Sequence, residues 1–294
     1  MPRLIRGLAD LADGYDVILC DIWGVLHNGA SYFTAAAEAL RRFRAKGGAV
    51  ALITNAPNPS RLVRTYLDAL GVPPEAYDAV ISSGDVAVGL LIERAGTPVC
   101  HIGPASETAL FDEVLATTGQ RPRIAPLEEA GIVLCTGLVD PAREAPADYD
   151  ARLALMQARG LDFICANPDI VVQNGDALIY CAGAIAERYA AIGGRVIQAG
   201  KPHAPIYERA LARAKDLRGG ALDRARVLAI GDAMRTDIKG ACDQGLDSLF
   251  VTAGIHRQEL HGGAADAALD AAALRQFTAA AGFAPNAAIA ELAW

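Results

Sequence analysis

The chain has 294 residues, of which 52% are hydrophobic and 21% are charged, and its formal net charge is −7. This length suits two globular domains, and the negative charge disfavours a nucleic-acid-binding function. No uninterrupted apolar run is long enough to span a bilayer, and acids interrupt the N-terminal segment where a signal peptide would be apolar. Neither a membrane partner nor a nucleic-acid partner is therefore predicted.

The six cysteines are predicted to be buried thiols. None belongs to a C-x-x-C pair, and most lie within apolar runs, which is atypical of a metal site or a disulfide framework. Their positions are Cys20, Cys100, Cys135, Cys165, Cys181 and Cys242. Because reduced thiols are typical of the cytoplasm, a cytoplasmic location is predicted.

Short apolar runs alternate with helical patterns in the first and last thirds of the chain. The runs cover residues 17–20, 49–53, 227–230 and 249–251. A helix is predicted over 34–46, where alanine, leucine and phenylalanine recur at helical spacing before Gly47 and Gly48. Strands that are apolar throughout and alternate with helices predict a parallel sheet covered on both faces.

The middle of the chain forms a second alternating unit. Apolar runs at 99–102, 132–135 and 163–166 alternate with helical patterns at 105–117 and 148–159. The predicted fold class is α/β: a Rossmann-like parallel-sheet core at 1–83 and 196–294, with an inserted α/β cap at 84–195. The alanine-rich stretch 264–281 is predicted to be helical.

Polar residues follow the predicted core strands at the point where each strand ends. In an open parallel sheet, ligands bind beyond the carboxyl ends of the strands, so these residues are the candidate site. They are Asp21 after the first run, Thr54 and Asn55 after the second, Asp232 and Asp237 after the third, and Lys201 after residues 196–198.

This set of residue types is suited to phosphate chemistry. Clustered carboxylates repel each other and need a cation, and oxygen ligands suit Mg²⁺. Lysine and hydroxyl groups stabilise a bound phosphate dianion, while a carboxylate can attack phosphorus to form an aspartyl-phosphate. Taken singly, each residue has a plainer explanation as a helix cap, a first-turn acid or a surface lysine. Only the combination, in this order and after strands, is specific.

Four motifs resemble those of the haloacid dehalogenase-like (HAD) superfamily. Asp21-Ile22-Trp23-Gly24-Val25-Leu26 resembles its first motif, D-x-D-G-V/T-L, and Thr54-Asn55 resembles its second. Gly200-Lys201-Pro202 resembles the third, and the run from Gly231 to Ile238 resembles the fourth, G-D-x-x-x-T-D-I. The run GKPHAPIYERAL from Gly200, with Ala166-Asn167-Pro168-Asp169 and Ala182-Gly183-Ala184, is similar to the class IIA group. That group includes p-nitrophenyl, pyridoxal, and sugar- or nucleotide-phosphatase types.

The resemblance implies a role for each candidate residue. Asp21 would be the nucleophile and Lys201 its catalytic partner, with Lys201 also binding phosphate beside Thr54 and Asn55. The ligands of Mg²⁺ would be the Asp21 carboxylate, the backbone carbonyl of Trp23 and the Asp232 carboxylate, with Asp237 further out or bound through water. The substrate would be a small phosphorylated molecule. Pairing of caps, which is common in the group, predicts a homodimer.

The sequence departs from the family pattern at Trp23. Phosphatases of the superfamily usually have an aspartate there, which protonates the leaving group and then activates water. An indole can do neither, and loss of general acid–base help slows a reaction by about 10²- to 10⁴-fold. Three explanations are open: His27 supplies the proton, the leaving group needs none, or the protein binds a phosphorylated ligand with little hydrolysis.

The leading prediction is an Mg²⁺-dependent hydrolase that acts on a small phosphomonoester through an aspartyl-phosphate intermediate. The first alternative is a phospholigand-binding or regulatory protein with little turnover. The second is a metal-independent haloacid dehalogenase, a class that carries an aromatic residue at the position equivalent to Trp23. The acids Asp232 and Asp237 argue against that second alternative. Substrate identity would depend on the cap and is not predicted.

Overall fold

The computed structural model describes residues 2–174, 177–262 and 268–294. Its strands are β1 (Arg3–Leu4), β2 (Val17–Cys20), β3 (Ala49–Thr54), β4 (Ala79–Ser82), β5 (Val99–Ile102), β6 (Ile132–Cys135), β7 (Asp162–Cys165), β8 (Val171–Asn174), β9 (Ala177–Tyr180), β10 (Arg195–Gln198), β11 (Val227–Gly231), β12 (Asp247–Val251) and β13 (Ala287–Ile289).

The α-helices are α1 (Thr34–Ala45), α2 (Ser60–Ala69), α3 (Ser83–Glu93), α4 (Ala109–Thr118), α5 (Asp150–Ala158), α6 (Ala182–Ala191), α7 (Ala204–Leu217), α8 (Lys239–Asp243), α9 (Arg257–His261) and α10 (Ala271–Ala281). Short 3-10 helices occupy Leu8–Asp10, Ala12–Gly14, Pro74–Ala76, Leu127–Glu129, Pro146–Tyr149 and Arg224–Arg226. A π-helical turn occupies Met234–Ile238.

The larger sheet has seven strands in the order β1-β13-β12-β11-β2-β3-β4. Every residue of β2, β3 and β11 is buried, as expected for strands covered on both faces. The β11–β2 and β2–β3 pairs are parallel, so their carboxyl ends lie side by side at one edge. This order brings the residues that follow β2, β3 and β11 to the same edge and confirms the predicted α/β parallel-sheet fold.

The second sheet has four parallel strands in the order β10-β7-β6-β5. Its core is built from buried residues of the strands together with α5 and α6, including Phe163, Tyr189 and Met156. A separate antiparallel pair, β8 and β9, follows β7 in the chain. The alternating pattern predicted for the middle of the chain is therefore present as a second parallel sheet.

The chain divides into two compact units. The first comprises Met1–Thr54, Arg64–Ile81 and Tyr207–Trp294, and the second comprises Asn55–Val63 and Ser82–Ile206. The core and cap boundaries expected from the sequence, 1–83 and 196–294 against 84–195, stay a prediction.

Two helices begin later than their sequence patterns predict. The helix expected over 105–117 starts at Ala109, because the amide of Glu107 bonds back to the carbonyl of Pro104 in a turn. The helix expected over 264–281 is observed as Ala271–Ala281, and residues 264–267 lie outside the described residues. Asp270 starts it, since its side chain accepts hydrogen bonds from the amides of Ala272 and Ala273, as an N-cap does.

The cysteines have reduced thiols, and five of the six are buried, while Cys242 is exposed. Burial raises the pKa of the Cys181 thiol to about 12 and raises that of Cys165 well above its usual range. Thiols of this kind are inert packing groups, because the thiolate is the reactive form. Among the described residues, no helix is both long enough and apolar enough to cross a membrane.

Candidate active site

Asp21 leaves the sheet directly after β2, the strand that lies between β11 and β3. Its amide donates a 2.8 Å hydrogen bond to the carbonyl of Ile230, which continues the parallel ladder by one residue. The residue is only 7% exposed. The backbone of Asp21 is therefore anchored by β11 at the carboxyl edge of the sheet.

Three buried carboxylates converge at this edge. One oxygen from each of Asp21, Asp232 and Asp237 lies within 4.8 Å of the others. Their exposures are 7%, 5% and 3%, so water screens their mutual repulsion poorly. The three oxygens lie close enough to share one ion, and an oxygen-only donor set fits Mg²⁺ better than a metal that prefers sulfur or imidazole.

Backbone amides hold the two acids that follow β11. The Oδ2 atom of Asp232 accepts a 2.8 Å hydrogen bond from the amide of Ile255, and Oδ2 of Asp237 accepts a 3.1 Å bond from Ala233. Asp237 lies in the π-helical turn Met234–Ile238, a geometry often found at functional sites. Both carboxylates are thus anchored by the backbone.

Two glycines leave room for the Asp232 carboxylate. Gly24 has a φ of 82°, and a Cβ atom built there would overlap Oδ2 of Asp232. A Cβ atom at Gly254 would overlap the same oxygen. The backbone that follows Trp23 therefore lies directly against Asp232, the position expected if the Trp23 carbonyl joins a shared metal site.

The half-buried Trp23 side chain is held by the loop that follows it. Its ring packs edge to face on His27, with ring centroids 5.0 Å apart and an interplanar angle of 74°. A Cβ atom at Gly29 would lie 2.6 Å from Cη2 of the indole, so the loop backbone contacts the far end of the ring. The amide of Gly24 also donates a 2.8 Å hydrogen bond to the carbonyl of His27. The tryptophan is a packed component of this loop.

The surroundings of His27 indicate a packing role. It is 2% exposed, its Nδ1 accepts a 3.0 Å hydrogen bond from the amide of Gly29, and its ring packs on Tyr66 at 5.5 Å. Burial lowers the pKa of its imidazole to about 4, so the ring is neutral at neutral pH. A neutral, buried imidazole with one nitrogen already engaged is poorly suited to donate a proton. The structure favours packing beside Trp23 as its role.

Asn55 and Lys201 are joined by a pair of hydrogen bonds within the second unit. The amide of Lys201 donates to Oδ1 of Asn55 at 2.7 Å, and Nδ2 of Asn55 donates to the Lys201 carbonyl at 3.1 Å. Nδ2 also donates to Oδ1 of Asp169 at 2.9 Å. Lys201 is 2% exposed. The Asn55 side chain is therefore used to position the Lys201 backbone.

The contact between Asn55 and Lys201 requires a glycine at position 200. A Cβ atom at Gly200 would overlap Oδ1 of Asn55, the atom that accepts from Lys201. The Asp169 side of the contact is fixed by a 3.1 Å hydrogen bond from its own amide to Oδ1 of Asn167. Gly200-Lys201-Pro202 and Asn167-Pro168-Asp169 were both singled out from the sequence, but their contact through Asn55 was not.

The structure brings the predicted residues together in two groups. Asp21, Asp232 and Asp237 form one, with the Trp23 backbone beside them; Asn55 and Lys201 form the other. Thr54, 7% exposed, ends β3 and precedes Asn55 in the chain. Sequence reasoning missed two supporting residues, Gly254 and Gly29, and it missed the contact of Asp169 with Asn55. No local signal marks them, because each acts on a residue distant in the chain or through a backbone approach.

Comparison with known proteins identifies the family. Residues 18–116 match the family described as haloacid dehalogenase-like hydrolase, and residues 198–276 match the family described as HAD-hydrolase-like. The two matched segments contain Asp21, Thr54, Lys201, Asp232 and Asp237. Both groups of candidate residues are thus covered.

Individual relatives agree with these matches. A crystal structure of a haloacid dehalogenase-like family hydrolase from Brucella suis 1330 is 44% identical, with a TM-score of 0.84, and the match covers 98% of this chain and 100% of that one. The 4-nitrophenylphosphatase of Schizosaccharomyces pombe is 24% identical over 85% of this chain and 88% of its own. A glycerol phosphate phosphatase from Mycobacterium tuberculosis, solved in complex with calcium, is 28% identical with a TM-score of 0.63, covering 83% of this chain and 68% of that one. The chain belongs to the haloacid dehalogenase-like hydrolase family, in the class IIA group that its motifs indicate.

Proposed function

We propose that this protein is an Mg²⁺-dependent phosphatase that hydrolyses a small phosphomonoester through an aspartyl-phosphate on Asp21. The observation that carries the proposal is the cluster of three buried carboxylates, Asp21, Asp232 and Asp237, with oxygens within 4.8 Å of one another. Relatives that are phosphatases support the same reaction class. A relative solved with calcium supports the use of a divalent ion.

The three acids have separate tasks in this proposal. Asp21 attacks phosphorus with one carboxylate oxygen, and the new oxygen–phosphorus bond forms as the bond to the leaving group breaks. Asp232 and Asp237, each held by a backbone amide, would hold the ion together with Asp21 and the Trp23 carbonyl. When bound, Mg²⁺ would offset the repulsion between these carboxylates and the phosphate.

Lys201, Thr54 and Asn55 serve phosphate binding in the same proposal. The Lys201 ammonium would balance the charge of the phosphate, and the Thr54 hydroxyl would donate a hydrogen bond to it. The side chain of Asn55 already bonds to Lys201 and Asp169, so its contribution is to position Lys201.

Trp23 favours a second candidate, a phospholigand-binding protein with little turnover. The residue cannot supply or remove a proton, and His27 beside it is committed to packing and to Gly29. The metal-independent dehalogenase alternative gains no such support, since three buried carboxylates are unfavourable without a cation. The cytoplasmic location and the homodimer stay predictions.

The test is phosphate release from a panel of phosphomonoesters, with and without Mg²⁺, using the wild type and Asp21→Asn. Multiple turnovers that need both Mg²⁺ and Asp21 support the phosphatase. Asn is nearly isosteric with Asp, so the variant removes the nucleophile while retaining the packing. Mg²⁺-dependent ligand binding without sustained release from any substrate would instead support the binding protein.

A further inference from the structure

The loop after Asp21 contains no carboxylic acid. Residues 22–33, here called the Trp23 loop, connect β2 to α1, and their titratable side chains are His27 and Tyr32. The indole of Trp23 carries a hydrogen-bond donor that does not ionise as an acid near neutral pH. The loop that begins directly after the nucleophile therefore carries no carboxyl group that could protonate a leaving group.

Two polar side chains, His27 and Tyr66, hold the loop around Trp23. His27 accepts at Nδ1 from the amide of Gly29, and the hydroxyl of Tyr66 donates a 2.9 Å hydrogen bond to the carbonyl of the same glycine. Gly29, with a φ of 90°, is thereby fixed against the indole. His27 and Gly29 thus pack on the indole, and Tyr66 holds both of them, so Trp23 is a packed part of the loop.

The absence of an acid affects the first chemical step most. Phosphoryl transfer passes through a loose transition state in which the bond to the leaving group is largely broken and the bond to the nucleophile is barely formed. Negative charge consequently builds up on the leaving oxygen. A strongly basic alkoxide needs a proton at that moment, whereas a carboxylate, an enolate or an acidic phenolate departs as an anion.

The second step is less affected. Water attacks phosphorus, the bond between phosphorus and Asp21 breaks, and the water proton passes to solvent. The leaving group in this step is the Asp21 carboxylate, and carboxylates depart without a proton because they are weak bases. The same loose transition state demands little help from a general base. Both steps can therefore proceed without a general acid when the leaving group of the substrate is also a weak base.

From the proposed function, we infer the substrate class: phosphates whose leaving group is a weak base, namely acyl, enol or acidic aryl phosphates. Trp23 is the specificity-determining residue. Its indole packs on His27 and Gly29 and cannot donate a proton to the leaving group. Alkyl phosphates such as sugar or glycerol phosphates are poor substrates.

The test is the dependence of kcat/KM on leaving-group basicity. The substrates are aryl phosphates whose phenols span pKa values from about 4 to 10, with acetyl phosphate and an alkyl phosphate added. For the wild type, log kcat/KM is expected to fall steeply as the pKa of the leaving group rises. Trp23→Phe, the matched control that keeps an apolar ring, should show the same steep slope. Trp23→Asp should give a shallower slope. Its kcat/KM for the substrates with the poorest leaving groups should rise roughly 10²- to 10⁴-fold more than its kcat/KM for those with the best.

A shallow wild-type plot, with turnover that still needs Asp21, would overturn the inference and leave the phosphatase in place. A group outside the Trp23 loop would then be the acid. No Asp21-dependent turnover of any substrate, acetyl phosphate included, would reject both the inference and the proposed function. If Trp23→Asp does not fold, the slopes of the wild type and Trp23→Phe decide the matter alone.

Discussion

The bridge that Asn55 makes between Lys201 and Asp169 predicts a large effect for Asn55→Ala. The substitution removes three hydrogen bonds of 2.7, 2.9 and 3.1 Å, two to the backbone of Lys201 and one to the Asp169 carboxylate. Asn55 and Lys201 are 4% and 2% exposed, so water cannot easily take the place of the amide. Leaving buried polar groups without such bonds costs about 1 to 3 kcal/mol each.

The expected loss in the free energy of unfolding is therefore about 2 to 5 kcal/mol, since the small cavity left by the amide adds to the lost bonds. The assay is urea denaturation with excess chelator, so that metal binding does not contribute. Substrate KM provides a second readout, because Lys201 binds phosphate in the proposed mechanism and its displacement would weaken that binding. We expect KM to rise while the Asp21 nucleophile is unaltered.

Asn55→Asp is the matched variant. It keeps the Oδ1 acceptor for the Lys201 amide but replaces the donor by a second oxygen that faces the Asp169 carboxylate and the Lys201 carbonyl. Destabilisation at least equal to that of Asn55→Ala is expected. Asp169→Asn should partly restore stability in the Asn55→Asp background, because it returns a donor to the contact.

A loss below about 0.5 kcal/mol in Asn55→Ala, the range of ordinary surface substitutions, would refute this reasoning. The same holds if Asp169→Asn destabilises the Asn55→Asp protein as much as it destabilises the wild type. Either result would mean that the Asn55 amide does not position Lys201.

Three further predictions concern Gly254, His27 and the cysteines. Gly254→Ala should weaken Mg²⁺ binding at least tenfold by calorimetric titration, because its Cβ would overlap Oδ2 of Asp232. Unchanged affinity would mean that the close approach of Gly254 does not position the Asp232 carboxylate. Burial lowers the His27 pKa from 6.5 to about 4, so its contribution to stability is complete above pH 6.5 and is lost as pH falls towards 4. His27→Asn should lack that part of the pH dependence in chelator-treated protein. A thiol reagent should label the native protein quickly at Cys242 alone and all six thiols after denaturation; rapid labelling of further thiols would contradict their burial.

Trp23 also determines which substrates can distinguish a phosphatase from a phospholigand-binding protein. A phosphatase limited to weakly basic leaving groups is inactive on a panel of alkyl phosphates and resembles a binding protein there. Acetyl phosphate and acidic aryl phosphates distinguish the two, because hydrolysis of these compounds needs no general acid. Such substrates should therefore be present in the first activity measurement.

The sequence alone was sufficient for the parallel α/β fold and the acid cluster, because both depend on local patterns. Runs such as Val17–Cys20 and Val227–Gly231 are apolar at every position, which predicts strands covered on both faces. A polar residue directly after such a strand must lie at the carboxyl edge. Asp21 and Asp232 could thus be assigned to one site without knowledge of any contact.

The roles of Asn55 and His27 required the tertiary structure. Asn55 bonds to Lys201, 146 residues away, and to Asp169, 114 residues away, and no local pattern specifies which distant group will meet an amide. His27 was a candidate acid in the sequence, since its spacing from Trp23 suits either proton transfer or packing. Burial, the bond from Gly29 and the Tyr66 ring distinguish the two, because solvation and hydrogen bonding control an imidazole's pKa and depend on the folded surroundings.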